Sequence, residues 1–378
     1  MPNGKGLKNR VCHLTSVHPH TDTRIFLKEC CSLAAAGFET CLIAPGAADG
    51  TVNGISLRGV PIAGTSRILR MTGTASNVYG AARSIDADIY HLHDPELIFV
   101  GMLLKALHRK KVIYDAHEDY PRSIMASEWI HPVFRPAAMR CVAFAEWLGS
   151  KIFDGIVAAT PSIARRFPPS KTVTVQNFPI SGELLSGTSL PYKQRLPGIA
   201  YVGSISKLRG AKEMIEAVGL LPQRAGLRLY LVGTFRPETM NNEVSGAAAW
   251  KRVEFLGWQP RKEVADVLGM SRMGLVLFHR APNHISAQPN KLFEYMAAGI
   301  PVLASDFPLW REIVEKGKCG IVVDPEDPKA VSEAMQWLLD NPDEAENMGM
   351  RGRDMVQGQY NWGRESEKLI ELYKRILQ

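Results

Sequence analysis

Residues 289–301 read PNKLFEYMAAGIP and run directly into VLAS. A helix start, a helix stop and an apolar strand follow one another without a break, which is the repeating unit of an α/β protein. Pro289 suits the first helical turn, where its missing N–H costs nothing, and Gly299 with Pro301 ends the helix. Free N–H groups then cluster near Asn290 and Lys291. Those amides, the positive end of the helix dipole and the lysine ammonium together favour a phosphate. Glu294 follows Asn290 one turn later, placed to accept hydrogen bonds from ribose hydroxyls. The stretch reads as a cradle for a nucleoside diphosphate. An ordinary amphipathic helix, with Leu292, Phe293, Met296 and Ala297 buried and Lys291 solvated, is the alternative.

Outward from this stretch the same alternation recurs. VCHLTS from Val11, TCLIAP from Thr40, DIYHLH from Asp88, KVIYDAH from Lys111 and DGIVAAT from Asp154 read as buried parallel strands separated by helical segments. A Gly/Ser/Pro-rich stretch after Pro179, SGELLSGTSLPYKQRLPG, lacks a clear period and reads as a linker. The pattern restarts at GIAYVG from Gly198 and continues through LRLYLVG, VEFLG, GLVLF, PVLAS and GIVV. The expected fold class is α/β: two Rossmann-like doubly wound domains facing a central cleft. A last amphipathic helix, around Glu365 to Leu377, crosses back to the first domain.

Composition supports this organisation. A chain of 378 residues exceeds what one core usually holds. No apolar run reaches membrane-spanning length, and the N-terminal MPNGKGLKNR lacks the apolar centre of a signal peptide, so a cytoplasmic protein is expected. Six scattered cysteines without a CxxC pair read as reduced core residues. A formal charge of +7 suits an anionic partner but does not say which.

In open α/β sheets, ligands bind beyond the carboxyl ends of the strands. The notable polar residues fall there: HPHTDTRIF at 18–26, HLHDPEL at 91–97, DAHEDYPR at 115–122 and SISKLRG at 204–210. With VEFLGWQP, PNKLFEYMAAGIPVLASDFPLWREIV and GIVVDPEDP, these segments resemble the family 4 glycosyltransferases, retaining nucleotide-sugar enzymes with the two-domain GT-B fold. The resemblance covers nearly the whole chain.

It implies an acceptor-side domain over 1–190, a nucleotide-sugar-binding domain over 191–360 and a returning helix over 361–378. A basic pair grips the diphosphate in that family. Arg209, just before Gly210, matches one member; Ser204 stands where the other is commonly Arg, and Lys291 supplies the second charge. The family's ribose-binding acid matches Glu294. Its sugar-binding acid, eight positions earlier, is Ser286 here, so His284, Ser286 or backbone amides near Ala287 and Gln288 read the sugar instead. Gly257, Trp258, Pro289, Asn290 and Leu292 complete the expected donor site, with Trp258 near the base.

The implied reaction is metal-independent and needs no cofactor, because Arg209, Lys291 and helix N–H groups stabilise the departing phosphates. His117 orients the donor near its reacting carbon. Asp22, Thr23, Arg24, His93 and Asp94 fall on the acceptor side, or brace their loops. The expected partners are a nucleotide-sugar donor, UDP-sugar favoured and GDP-sugar the alternative, and a glycan or lipid-linked acceptor; nucleic acid is not among them. Residues 123–140, SIMASEWIHPVFRPAAMR, and HRKK at 108–111 suit docking at an anionic membrane surface, or a buried helix flanked by solvated charges. Two rivals stand against the transferase: a metal-dependent hydrolase built on His91, His93, Asp94 and His117, and a non-catalytic nucleotide-sugar-binding protein suggested by Ser204 and Ser286. A nucleotide-sugar epimerase fits the helix at 289–301 less well.

Overall fold

The computed structural model describes residues 9–64, 67–125, 127, 130–185 and 190–378. The chain forms two compact units, 1–177 joined by 363–378, and 178–362.

The first unit is built on an eight-stranded sheet. Its strands are β1 (Arg10–Leu14), β2 (Glu39–Pro45), β3 (Gly50–Val52), β4 (Ile55–Val60), β5 (Ile89–Leu92), β6 (Lys111–Ala116), β7 (Gly155–Ala158) and β8 (Thr172–Thr174). The order across the sheet is β3-β4-β2-β1-β5-β6-β7-β8, parallel except for the β3–β4 hairpin at one edge. β1, β5 and β7 are buried almost throughout because helices cover both faces, which is why they read as apolar runs and not as alternation. The order reverses at β1, which lies between β2 and β5. Crossovers from this point run in opposite directions, leaving the loops after β1 and β5 to border a crevice.

The last helix, Trp362–Leu377, belongs to this unit from Gly363 onward. Leu369, Leu372 and Tyr373 are buried, and a Cβ added at Gly155 on β7 would lie 2.9 Å from Ile376 Cδ1 and 3.3 Å from Leu372 Cδ1.

The second unit carries a six-stranded, all-parallel sheet of β9 (Gly198–Val202), β10 (Arg228–Val232), β11 (Val253–Gly257), β12 (Met273–Val276), β13 (Val302–Ser305) and β14 (Gly320–Val323). Its order, β11-β10-β9-β12-β13-β14, reverses at β9. Ile199, Leu229, Leu275, Leu303, Trp310 and Met335 lie in its core. This is the doubly wound arrangement the sequence implies, twice over.

Several boundaries differ from the sequence reading. The chain leaves the first unit at Asn177, not near 190, because Phe178, Leu184 and Tyr192 are buried in the second core. The supposed linker is therefore part of the second unit, apart from 186–189, which lie outside the described residues. The helix at 290–298 begins one residue later than expected, with Pro289 extended as its N-cap. Strands β3, β4 and β8 were not expected. Four of the six cysteines are buried and all are free, but Cys141 is exposed.

Candidate functional site

In the second unit, helix Asn290–Ala298 rises from the loop that follows β12. Its N-terminus has no side-chain cap, and Gly299 ends it in the left-handed conformation at φ +70°. Lys291 does not turn to solvent. Its side chain is buried, and Nζ has no hydrogen-bond partner among the described residues. The ammonium lies 3.8 Å from the centroid of the Tyr201 ring and 5.3 Å from that of Phe278. Burial, then the neighbouring charge of Arg209, hold its pKa well below the ordinary lysine value.

Arg209 reaches the same place from the other side of the sheet's switch point. Its guanidinium carbon is 5.4 Å from the Phe278 centroid, so two cations flank one aromatic ring. Gly210 follows at φ +71°, where an added Cβ would be 2.3 Å from the Leu277 carbonyl oxygen. Only glycine lets the helix at 211–220 start so close to β12. Ser204 contributes its carbonyl: Tyr201 donates to it at 2.6 Å and Arg209 at 3.5 Å. Where the family commonly has a second arginine, this chain orients the one it has.

Glu294 is not free. Arg261 donates to its Oε1 at 2.8 Å and grips both oxygens of Glu183 at 2.7 and 3.0 Å. This bridge was missed by the sequence reading, since WQPRKE carries no signal for a partner 33 residues away. Gly257 adopts φ +67°, and Trp258 next to it is 72% exposed, which removes core packing as its role. Ser286 and Gln288 are half-buried and Asn290 is exposed, whereas Leu292 packs in the core. The Ala287 amide is spent on the His284 carbonyl at 3.0 Å and is unavailable to a sugar. His284 itself faces the His279 carbonyl at 3.1 Å.

In the first unit, the polar residues at the ends of β1, β5 and β6 form one buried network. His13 on β1 and His91 on β5 are register partners, and His93 lies two residues further along the same face. His117 Nε2 is 2.8 Å from Asp115 Oδ2 and 3.0 Å from His93 Nδ1. His93 Nε2 is 2.8 Å from His13 Nδ1. Burial lowers the His93 pKa to about 4, so it is a neutral imidazole.

Arg24 comes from a π-helical turn, Thr23–Cys30, and its guanidinium forms a two-pronged pair with Asp115 at 2.9 and 3.0 Å. Burial alone would raise the Asp115 pKa, but Arg24 and then His117 hold it well below the usual carboxylate range. Asp22 caps the turn, accepting from the amides of Arg24 and Ile25, and Thr23 opens it. Asp94 accepts from the Thr15 hydroxyl at 2.8 Å and the Ser16 amide at 2.7 Å.

Arg24 and Asp94, expected to face an acceptor or to brace loops, are braces: both are buried and committed to protein partners. His117 is the most exposed of the three histidines His91, His93 and His117, at 11%. Asp94 joins His91, His93 and His117 in no common ligand set among the described residues; one of its oxygens is committed to the β1 loop and the other lies 3.4 Å from His18 Nε2.

Two doubly wound parallel-sheet units, one with paired basic groups at a helix start, define the GT-B class of glycosyltransferases. A family model for group 1 glycosyl transferases matches residues 189–355, and one for glycosyltransferase family 4 matches residues 24–174. The chain belongs to the family 4 glycosyltransferases.

Among curated relatives, it is similar to spore coat protein SA of Bacillus subtilis, 25% identical over 47% of this chain and 48% of that protein. It is also similar to the phosphatidyl-myo-inositol mannosyltransferase of Mycobacterium leprae, 25% identical over 77% of this chain and 74% of that protein. Apart from that mannosyltransferase, the matches span about half the length of these relatives. Among solved structures, sucrose-phosphate synthase from Thermosynechococcus elongatus superposes with a TM-score of 0.78 at 18% identity, covering 98% of this chain and 99% of that one. WaaG, a glycosyltransferase involved in lipopolysaccharide biosynthesis, gives 0.73 at 16% identity over 94% and 98%. At these identities the structural likeness speaks for the fold.

Proposed function

We propose that the chain transfers a hexosyl or N-acetylhexosaminyl group, with retention and without a metal at the phosphates, from a nucleotide diphosphate sugar to a glycan or lipid-linked acceptor. A UDP-sugar is favoured over a GDP-sugar, and surface polysaccharide or glycolipid is the product class. The observation that carries the reading is the buried Lys291 ammonium with no hydrogen-bond partner, beside Arg209 and an uncapped helix start. A buried cation without a partner is costly, and a diphosphate supplies what it lacks.

Negative charge grows on the diphosphate as the anomeric bond breaks, and these groups meet it already in place. With retention, the acceptor attacks from the face the diphosphate leaves, and a phosphate oxygen takes its proton. Glu294, held by Arg261 through one oxygen, offers the other to ribose. His117 stands at the edge of its network to orient the donor. Support for the acceptor class comes from the mannosyltransferase relative and from a Staphylococcus aureus capsular polysaccharide biosynthesis glycosyltransferase that matches 48% of this chain. Support for uridine comes from a fold relative, Anabaena HepE, solved with UDP.

We further place the protein at the cytoplasmic face of an anionic membrane. Among the described residues no helix is long and apolar enough to cross one. Phe99, Leu103 and Leu107 on helix Ile98–His108 and Phe144 and Trp147 on helix Arg135–Ile152 are exposed, with Arg109, Lys110 and Lys111 following the first. This moves the docking face onto those helices; residues 126, 128 and 129 of the segment first considered lie outside the described residues.

Calorimetry against UDP, GDP, ADP and their sugar conjugates, with and without EDTA, tests the donor site. Selective binding of one nucleoside diphosphate, unaffected by EDTA, is expected, and Arg209→Ala and Glu294→Ala should abolish transfer while the protein stays folded. Binding of none of them would remove the reading.

A further inference from the structure

The first unit contains a group of side chains that the transfer reaction does not use. His13, His91, His93 and Glu29 are each fully buried and converge at the ends of β1 and β5 and the π-helical turn. Around Glu29 Oε2, the His13 Nδ1 lies at 3.9 Å, the His91 Nδ1 at 3.8 Å and the His93 Nε2 at 4.0 Å. Three nitrogens thus surround one carboxylate oxygen, and two of them, on His13 and His93, are 2.8 Å apart.

Among the described residues neither oxygen of Glu29 has a hydrogen-bond partner, although the Arg24 Nε lies 3.1 Å from Oε1 as an ion pair. Arg24 answers Oε1 only; Oε2, which faces the three imidazoles, is buried without a cation or a proton donor and calls for one. We propose that His13, His91, His93 and Glu29 bind a divalent transition-metal ion, zinc being the best match.

The donor set is three imidazoles and one carboxylate, the chemistry that suits zinc. Ligands at about 2.0–2.1 Å in a tetrahedron stand roughly 3.3 Å from one another. Of the six separations among the four ligand atoms, the three to Glu29 Oε2 are longer than this and the His13–His93 one is shorter, and all six lie within 4.8 Å, so the side chains draw inward around an ion. Outer partners are already present. His13 ligates through Nδ1 and turns Nε2 to the Tyr373 hydroxyl oxygen at 3.2 Å; His93 ligates through Nε2 and turns Nδ1 to Asp115 at 3.5 Å. Such second contacts orient metal-bound imidazoles. His91 exchanges its 2.7 Å hydrogen bond with the Tyr373 hydroxyl for the ion.

All four ligands are fully buried, so the ion has no open coordination position for substrate. Its role is to tie β1, β5 and the π-helical turn together and to fix His93, against which His117 rests. The inference does not depend on the donor-site reading, which concerns the other unit.

The test uses the full chain produced in zinc-supplemented medium. Elemental analysis by plasma mass spectrometry should find about one equivalent of metal per chain, and Glu29→Gln and His91→Asn should lower it about tenfold or more. Cobalt-substituted wild-type protein should show the visible d–d bands of a tetrahedral site, a readout that survives if the variants fail to fold. Wild-type protein that carries no stoichiometric metal and gives no cobalt bands would overturn the proposal and leave Glu29 as a buried, protonated acid.

Discussion

Two buried cations, Arg24 in the first unit and Lys291 in the second, are treated in opposite ways. In the first, Arg24 is met by both oxygens of Asp115, by the Val175 carbonyl and by the charge of Glu29. In the second, Lys291 is also buried, yet its ammonium rests against aromatic rings without an acceptor. A cation that is satisfied serves the fold; one left unsatisfied is held ready for something that arrives later.

The sharpest way to break this comparison is to remove each charge in turn. Arg24→Met leaves Asp115 buried without its partner and should destabilise the protein by about 3–5 kcal/mol. Lys291→Met takes away an uncompensated charge and should be neutral or stabilising by roughly 1 kcal/mol, while nucleoside diphosphate binding falls by about 100-fold or more. Urea denaturation and calorimetry on both variants measure these effects. Equal destabilisation would erase the distinction.

A smaller effect sharpens the Lys291 side. Gly203 sits at φ +123°, and an added Cβ would lie 3.2 Å from Lys291 Nζ. Gly203→Ala should cost about 1–3 kcal/mol from backbone strain and shift the ammonium, weakening diphosphate binding roughly tenfold. Unchanged affinity would mean the ammonium need not stay where it is.

The smallest effect concerns the rim of the first network. His18 lies 3.3 Å from Asp22 and 3.4 Å from Asp94. Burial alone would lower its pKa, but Asp22 and then Asp94 outweigh it and raise it from 6.5 to about 9. Because the folded value lies above the unfolded one, the stabilisation is complete below pH 6.5 and is lost as pH rises through 9. His18→Asn should flatten that decline, which amounts to about 1 kcal/mol for a pair this exposed. Denaturation at several pH values on both proteins checks it.

The strands that lie under helices on both faces were legible because burial on two sides leaves a continuous apolar run, as in GIAYV at β9. β4, ISLRGV, alternates between buried and exposed residues, and β8 is three half-buried residues, so neither announces itself. At the candidate site the sequence could place residues on loops but could not pair them. Arg24 sits beside Asp22 in the chain, yet its partner is Asp115, 91 residues away. Lys291 lies on the boundary between a buried and a solvated helix face, and Tyr201 and Phe278, which cover it, come from two other segments. Contacts of that range are fixed by sheet order, which no local pattern encodes.

The last helix gives the chain an order of assembly. The second unit is continuous in sequence, so every residue it needs has been synthesised by Trp362. The first unit waits for Leu369, Leu372, Tyr373 and Ile376, the last pieces of its interior to leave the ribosome. A nascent chain thus has its second unit complete before its first, and the β7 flank around Gly155 stays uncovered until that helix has been made.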